Sequence, residues 1–175
     1  AASDVYKRQM PHVTIDPVVA AAAVVTALQT LVSREADPTR ATVVTVARFN
    51  TGPGASNVIP DAVSLAGTLR ALTSAEFEAA RRRIKEVGEG VAAAHRCTFT
   101  IEWEPQPYAP TVNDGGTVAL VAATVGALGG GVRFHELPEP TMAAEDFGFM
   151  AEAVPAAFSF LGIRNDTVGS VHGLH

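Results

Sequence analysis

The chain has 175 residues, 47% of them hydrophobic and 18% charged, which is ample for one packed domain or two small ones. With a mean hydropathy of +0.20, intrinsic disorder is excluded. Thirteen Lys and Arg against eighteen Asp and Glu leave a net charge of −5, so no cationic field gathers phosphates and nucleic acid is excluded as a partner. The single cysteine, Cys97, excludes an internal disulfide and a multi-thiolate metal cluster and fits a reducing, cytoplasmic compartment. The apolar run at residues 18–25 is interrupted by Thr26, Gln29 and Thr30, so the sequence is read as having no stretch long enough to cross a membrane and no membrane partner.

Residues 1–9 mix small and charged residues without a period and lack the layout of a secretory signal. They read as a non-native scar of cloning or sequencing, and the native-looking chain starts near Met10. Asp16-Pro17 marks a helix start, because an aspartate oxygen accepts a free amide hydrogen and proline in the first turn loses none. Val18, Ala22, Val25 and Leu28 share one face of the run behind it, which predicts a helix to Arg34-Glu35. Residues 42–49 are β-branched and predict a strand, 51–56 a loop, and 62–69 a second strand antiparallel to the first. Thr73 and Glu76 form a capping box that opens a helix to Ala94, with Phe77, Ala80, Ile84, Val87 and Val91 as its apolar stripe. Residues 97–104 alternate polar with apolar and predict a third strand. Helix, strand, strand, helix, strand matches a ferredoxin-like split layer once a strand ahead of Met10 is added.

Pro105, Pro107 and Pro110 make a stiff linker, since closely spaced prolines deny both helix and central strand. A domain boundary placed there gives residues 10–105 and 106–175. The second part predicts a helix at 115–128, a glycine break at 129–131, a strand at 132–135, a short helix near 145–151 and an apolar strand at 156–162. That alternation points to a parallel-leaning α/β sheet covered on both faces, and about 70 residues is too few for a whole domain of that kind. Both ends of the chain read as cuts.

The candidate chemistry is scattered. His172 and His175 follow the last predicted strand in a Gly-rich loop, where open α/β sheets place ligands; they are either metal ligands or exposed loop histidines. Glu145 and Asp146 sit at a predicted helix start, either capping free amides or orienting a ligand. Arg70 ends the second strand and Asn57 lies in the loop before it, together a carboxylate clamp or simply a surface Arg and a turn Asn. His12, His95 and His135 are read as packed, capping or surface residues, and Arg81, Arg82 and Arg83 as a solvated helix face.

Taken in order, several stretches resemble the M20 family of metallopeptidases and amidohydrolases, in its aminoacylase, hippurate hydrolase and auxin-conjugate hydrolase branch. They are Met10-Pro-His, Ile15-Asp-Pro-Val-Val, Leu28-Gln-Thr-Leu-Val-Ser-Arg, Ala55-Ser-Asn-Val-Ile-Pro, Gly67-Thr-Leu-Arg, Pro107-Tyr-Ala-Pro-Thr-Val-Asn-Asp, Ala144-Glu-Asp-Phe and Leu174-His. Each is weak alone; the ordered set is specific.

The resemblance implies an α+β/α/β molecule: a ferredoxin-like lid and dimerisation domain joined to the C-terminal part of an α/β zinc-hydrolase-like catalytic domain. It implies His175 as a metal ligand, Asn57 and Arg70 as lid residues that hold the substrate, and Glu145 with Asp146 as an acidic pair beside the active site. Two divalent ions, Zn²⁺, Mn²⁺ or Co²⁺, would polarise the amide carbonyl and acidify a water while a Glu moves the proton. The implied substrate is a small N-acyl amino acid, and the implied assembly a homodimer through the lid. The family's other metal ligands, its Glu base and a lid histidine ahead of Met10 do not occur in this chain. The expectation is therefore an inactive fragment that does not hold the metals itself. A free-standing ferredoxin-like dimerisation or ligand-sensing module is the alternative.

Overall fold

The computed structural model describes residues 10–105, 107–143 and 145–171. After a single 3-10 turn at Pro11–Val13, helix α1 runs Pro17–Thr30. Asp16 caps it as its sequence predicts, Oδ1 accepting from the amides of Val18 at 2.8 Å and Val19 at 3.4 Å. A wider π-helical turn, Leu31–Glu35, extends it and closes with Ala36 N donating to Leu31 O at 2.8 Å. Strands β1, Thr42–Asn50, and β2, Ser64–Ala71, pair antiparallel. Helix α2, Ser74–Ala94, opens on Thr73, whose Oγ1 accepts from Glu76 N at 3.2 Å.

Both helices cover one face of the hairpin. Val24, Leu28, Leu31 and Ile84 form the buried centre, and Val44, Val46, Leu65, Leu69, Val87 and Val91 close around it. The alternation of β1 explains the choice of face: Val44 and Val46 point in, while Val43 and Thr45 remain exposed. The register slips by one residue between Val46 and Arg48, a bulge opposite Gly67. A Cβ at Gly67 would stand 2.1 Å from the Thr45 carbonyl oxygen, so only glycine permits that approach.

Residues 97–104 correct one expectation. Cys97, Phe99, Ile101 and Trp103 are half-buried and their neighbours exposed, yet the segment joins no ladder among the described residues. The period-two pattern fixes which side faces the core; pairing requires a neighbouring strand. The chain reaches this position through a Schellman turn, with Cys97 N donating to Ala92 O and Arg96 N to Ala93 O, both at 2.9 Å, and Arg96 at φ 63°. Phe99 then lies against the bare backbone of Gly88.

A second expectation also fails. Pro17–Glu35 is, among the described residues, one helix long and apolar enough to span a bilayer by length and composition. Thr26, Gln29 and Thr30 do not interrupt it because each turns its polar group back onto its own helix: Thr26 Oγ1 to Ala22 O at 3.0 Å, Gln29 Nε2 to Val25 O at 3.1 Å and Thr30 Oγ1 to Ala27 O at 2.7 Å. Its Ala20, Ala21, Val24 and Leu28 are buried, as in the core helix of a folded domain.

The remaining elements are helices α3, Gly115–Leu128, and α4, Phe147–Ala153. The glycine break is real, with Gly129, Gly130 and Gly131 all at positive φ, between 64° and 85°. No strand forms at 132–135 or 156–162, and the sheet among the described residues is the antiparallel pair β1–β2, so the parallel-leaning sheet is not present there. Apolar runs of that length do not by themselves distinguish a paired strand from an extended segment. By internal contacts the chain forms two compact units: the described residues up to Pro110 with Pro140–Ala143, and Thr111–Glu139 with the described residues from 145 on.

Two predictions follow from this packing. A Cβ at position 88 would fall 2.5 Å from the Phe99 ring. Gly88→Ala should therefore cost about 1–3 kcal/mol in urea unfolding, and Phe99→Leu in the same background should recover part of it. Arg83 forks onto Glu35, Nε to Oε2 at 2.8 Å and Nη2 to Oε1 at 3.1 Å. That hydrogen bonding first, and the charge of Arg83 as well, hold the Glu35 carboxyl below its ordinary value of 4.5. Because the folded state binds the proton more weakly, the contribution is complete above pH 4.5 and is lost as pH falls through the depressed value. Glu35→Gln should lower stability modestly in the neutral range and flatten the acid limb, so that variant and wild type converge as pH falls through the depressed value.

Candidate functional site

Arg70 is placed by alternation along β2. Its neighbour Leu69 turns into the core, so Arg70 projects from the opposite face, across from Val43. The guanidinium is half-buried, and Nη1 donates to the main-chain carbonyl of Met142. Sequence reasoning missed that partner, because a main-chain carbonyl leaves no side-chain signature.

Asn57 occupies the loop between β1 and β2. Gly52, at φ 74°, donates its amide hydrogen to Asn50 Oδ1 at 2.9 Å, and Val58 N donates to Ala55 O at 3.1 Å to close a turn. Asn57 is the third residue of that turn, exposed, with its carboxamide unengaged among the described residues. The loop joins the Asn50 and Ser64 ends of the strands, whereas Arg70 stands beside Val43 near the other end. Six residues of strand, about 20 Å, separate Ser64 from Arg70. The two residues expected to form one clamp are attached at opposite ends of the hairpin and share no hydrogen bond.

Glu145 and Asp146 are exposed. Helix α4 starts after them, with Asp146 as its N-cap residue, but no side-chain cap bond forms there. Phe149 N instead donates to the Asp146 main-chain oxygen at 3.1 Å. The carboxylates are therefore not used up in capping. His172 and His175 lie outside the described residues. His12 is exposed in the first turn, His95 caps the C-terminus of α2 and His135 is exposed. Among the described residues no three His, Cys, Asp or Glu side chains are grouped closely enough to share a metal ion.

The stretch ending Thr-Val-Asn-Asp has a structural task. Asn113 acts as a one-residue strand: Oδ1 accepts from Phe158 N at 2.7 Å and Nδ2 donates to Phe158 O at 3.2 Å. Asp114 N adds a bond to Ala156 O at 2.8 Å. Asp114 also caps α3, Oδ1 accepting from the amide and hydroxyl of Thr117, each at 2.8 Å, which holds its carboxyl below the usual range. Phe158 in turn packs its ring between Phe147 and Phe160, both at 5.3 Å. The apolar segment that was expected to be a strand is therefore pinned by a side chain.

The model of peptidase family M20/M25/M40 matches residues 12–175. The chain belongs to the M20 family. It is 44% identical over 163 residues to IAA-amino acid hydrolase ILR1-like 2 of Arabidopsis thaliana, covering 91% of this chain and 36% of that protein. It is 38% identical over 165 residues to the N-acetyldiaminopimelate deacetylase of Leuconostoc citreum, covering 94% and 41%. A crystal structure of a protein described as an aminohydrolase from methicillin-resistant Staphylococcus aureus superposes with a TM-score of 0.69 at 36% identity, over 85% of this chain and 38% of that one. The chain thus spans little more than a third of the length of the curated relatives it matches. M20 proteins generally depend on two metal ions.

Removing the Asn113 carboxamide leaves both main-chain groups of Phe158 without their partner. Asn113→Ala should cost about 1–2 kcal/mol and loosen the second unit selectively. Amide exchange should accelerate at Phe158 and in α3 and α4 while α1, β1 and β2 keep their protection.

Proposed function

We propose that the protein carrying this chain hydrolyses the amide bond of an N-acyl amino acid or a related amino acid conjugate. In this reading residues 10–105 are a ferredoxin-like lid that also dimerises, and residues 106–175 belong to the catalytic domain. The observation that carries it is Arg70, a half-buried guanidinium at the end of a lid strand, in a family whose members include the IAA-amino acid hydrolase and N-acetyldiaminopimelate deacetylase described above. One of those names pairs IAA with an amino acid and the other an acetyl group with diaminopimelate. An amino acid carries a carboxylate, and an Arg fork matches it in shape and charge. The alternating burial of residues 97–104 beside the β1–β2 hairpin supports the lid assignment, since it is the pattern expected of a third strand with one face on the core.

The residues divide the work by position. Arg70 binds and orients the carboxylate, and Asn57 offers a neutral donor from its unengaged carboxamide. Glu145 and Asp146 present free carboxylates that can hold a proton or orient a donor, and His175 is assigned as a metal ligand. The described residues do not fit a two-metal site, because no three potential ligands converge. Bound metal would polarise the amide carbonyl; the contribution derived for this chain's own residues is binding, orientation and charge placement. The chain alone is accordingly assigned no turnover.

A protein extended to the length of its relatives should release free amino acid from N-acyl amino acids and lose that activity to a chelator. Arg70→Ala should raise KM by about tenfold or more, the cost of one charged fork. Activity that ignores both the chelator and the Arg70 substitution overturns the reading.

A further inference from the structure

Pro140–Ala143 is an exception in the chain's contact pattern. It belongs with the unit that carries the sheet, although the residues before and after it belong to the other. Pro138 and Pro140 keep the approach extended by denying helix to the residues ahead of them, and Met142, half-buried, turns its main-chain carbonyl to Arg70 Nη1. A guanidinium has five N–H donors in one plane. A bond at Nη1 restricts rotation of that plane while leaving its opposite edge, Nε and Nη2, unused. No side-chain acceptor bonds Arg70 among the described residues, so nothing competes for that edge.

We propose that the Met142 carbonyl is a positioning group for Arg70: it sets the plane of the guanidinium so that the Nε–Nη2 edge stands ready for a planar carboxylate. This rests on the carboxylate reading of Proposed function and extends it to how the fork is held. A freely rotating Arg must give up side-chain entropy each time it binds; one already held by a carbonyl has lost most of it beforehand. Arg is required at this position for geometry as well as charge. A Lys ammonium can reach either the carbonyl or the anion, but it has no second edge in a fixed plane. The arrangement also favours a flat, two-oxygen anion over a tetrahedral one as the group recognised.

The test separates orientation from ligand chemistry. The chain is labelled with ¹³C-carbonyl Met and ¹⁵N-Ala, which marks the Met142–Ala143 and Met150–Ala151 peptide bonds; a Met150→Leu variant tells them apart. In ligand-free protein, Arg70→Ala should move the Met142 carbonyl line upfield as its hydrogen bond is lost, and Arg70→Lys should hold it near the wild-type position. Should Arg70→Ala fail to fold, ¹⁵N-Arg-labelled wild type decides: resolved Nη lines for one arginine, coupled to the Met142 carbonyl carbon, are expected. A stationary Met142 line, or a single averaged Nη line for Arg70, overturns the proposal. In the longer protein, Arg70→Lys should raise KM for an N-acetyl amino acid about tenfold with kcat within about twofold. If the Met142 line moves as expected and KM does not, the carboxylate reading fails and takes the use of the free edge with it, while the held guanidinium stands.

Discussion

Everything in the first unit depends on how two helices share one face of a two-stranded ribbon. An isolated antiparallel pair is marginal in water, and it persists here because α1 and α2 cover it with apolar surface. The buried centre is small, with Val24, Leu28, Leu31 and Ile84 at its heart. Each contact around it therefore matters more than in a large core, including the bare backbone of Gly88 that admits Phe99 and the bulge that Gly67 makes possible. The peripheral clasp between Glu35 and Arg83 links the end of α1 to α2 at the rim, where water screens it and its value lies in orientation.

Much of this arrangement can be read from residue order. Asp16-Pro17 and the Thr73–Glu76 pair announce helix starts because capping is local chemistry, complete within four residues. The faces of β1, β2 and residues 97–104 are legible for the same reason, since alternation records burial directly. What alternation does not record is a partner. Residues 97–104, 132–135 and 156–162 carry the composition of strands, but a ladder needs a second chain segment at the right distance, and among the described residues none supplies it. The apolar length of Pro17–Glu35 was misread for a related reason: a Thr or Gln that bonds back to its own helix is polar in composition yet costs the helix little.

The candidate site was legible as chemistry and not as geometry. Arg70 and Asn57 are residue types suited to a carboxylate, and the ordered motifs around them led to the right family. Their attachment at opposite ends of one hairpin follows from the register of β1 and β2, which the sequence alone does not number. Met142 was invisible because its contribution comes from the main chain. Asn113 was noticed only as part of a motif, yet its side chain replaces a missing ladder. The roles of such residues emerge from what stands opposite them.

Among the described residues no ladder satisfies the backbone donors and acceptors of residues 97–104, which stand behind a row of aromatic and aliphatic side chains already turned one way. In concentrated solution such a margin invites a neighbouring molecule to dock strand to strand. Glu102 and Glu104 are the charges within it, both near one end, while Thr98 and Thr100 stand towards the Cys97 end, next to Arg96. Aggregation that grows with protein concentration and with warming is the behaviour that such a margin brings.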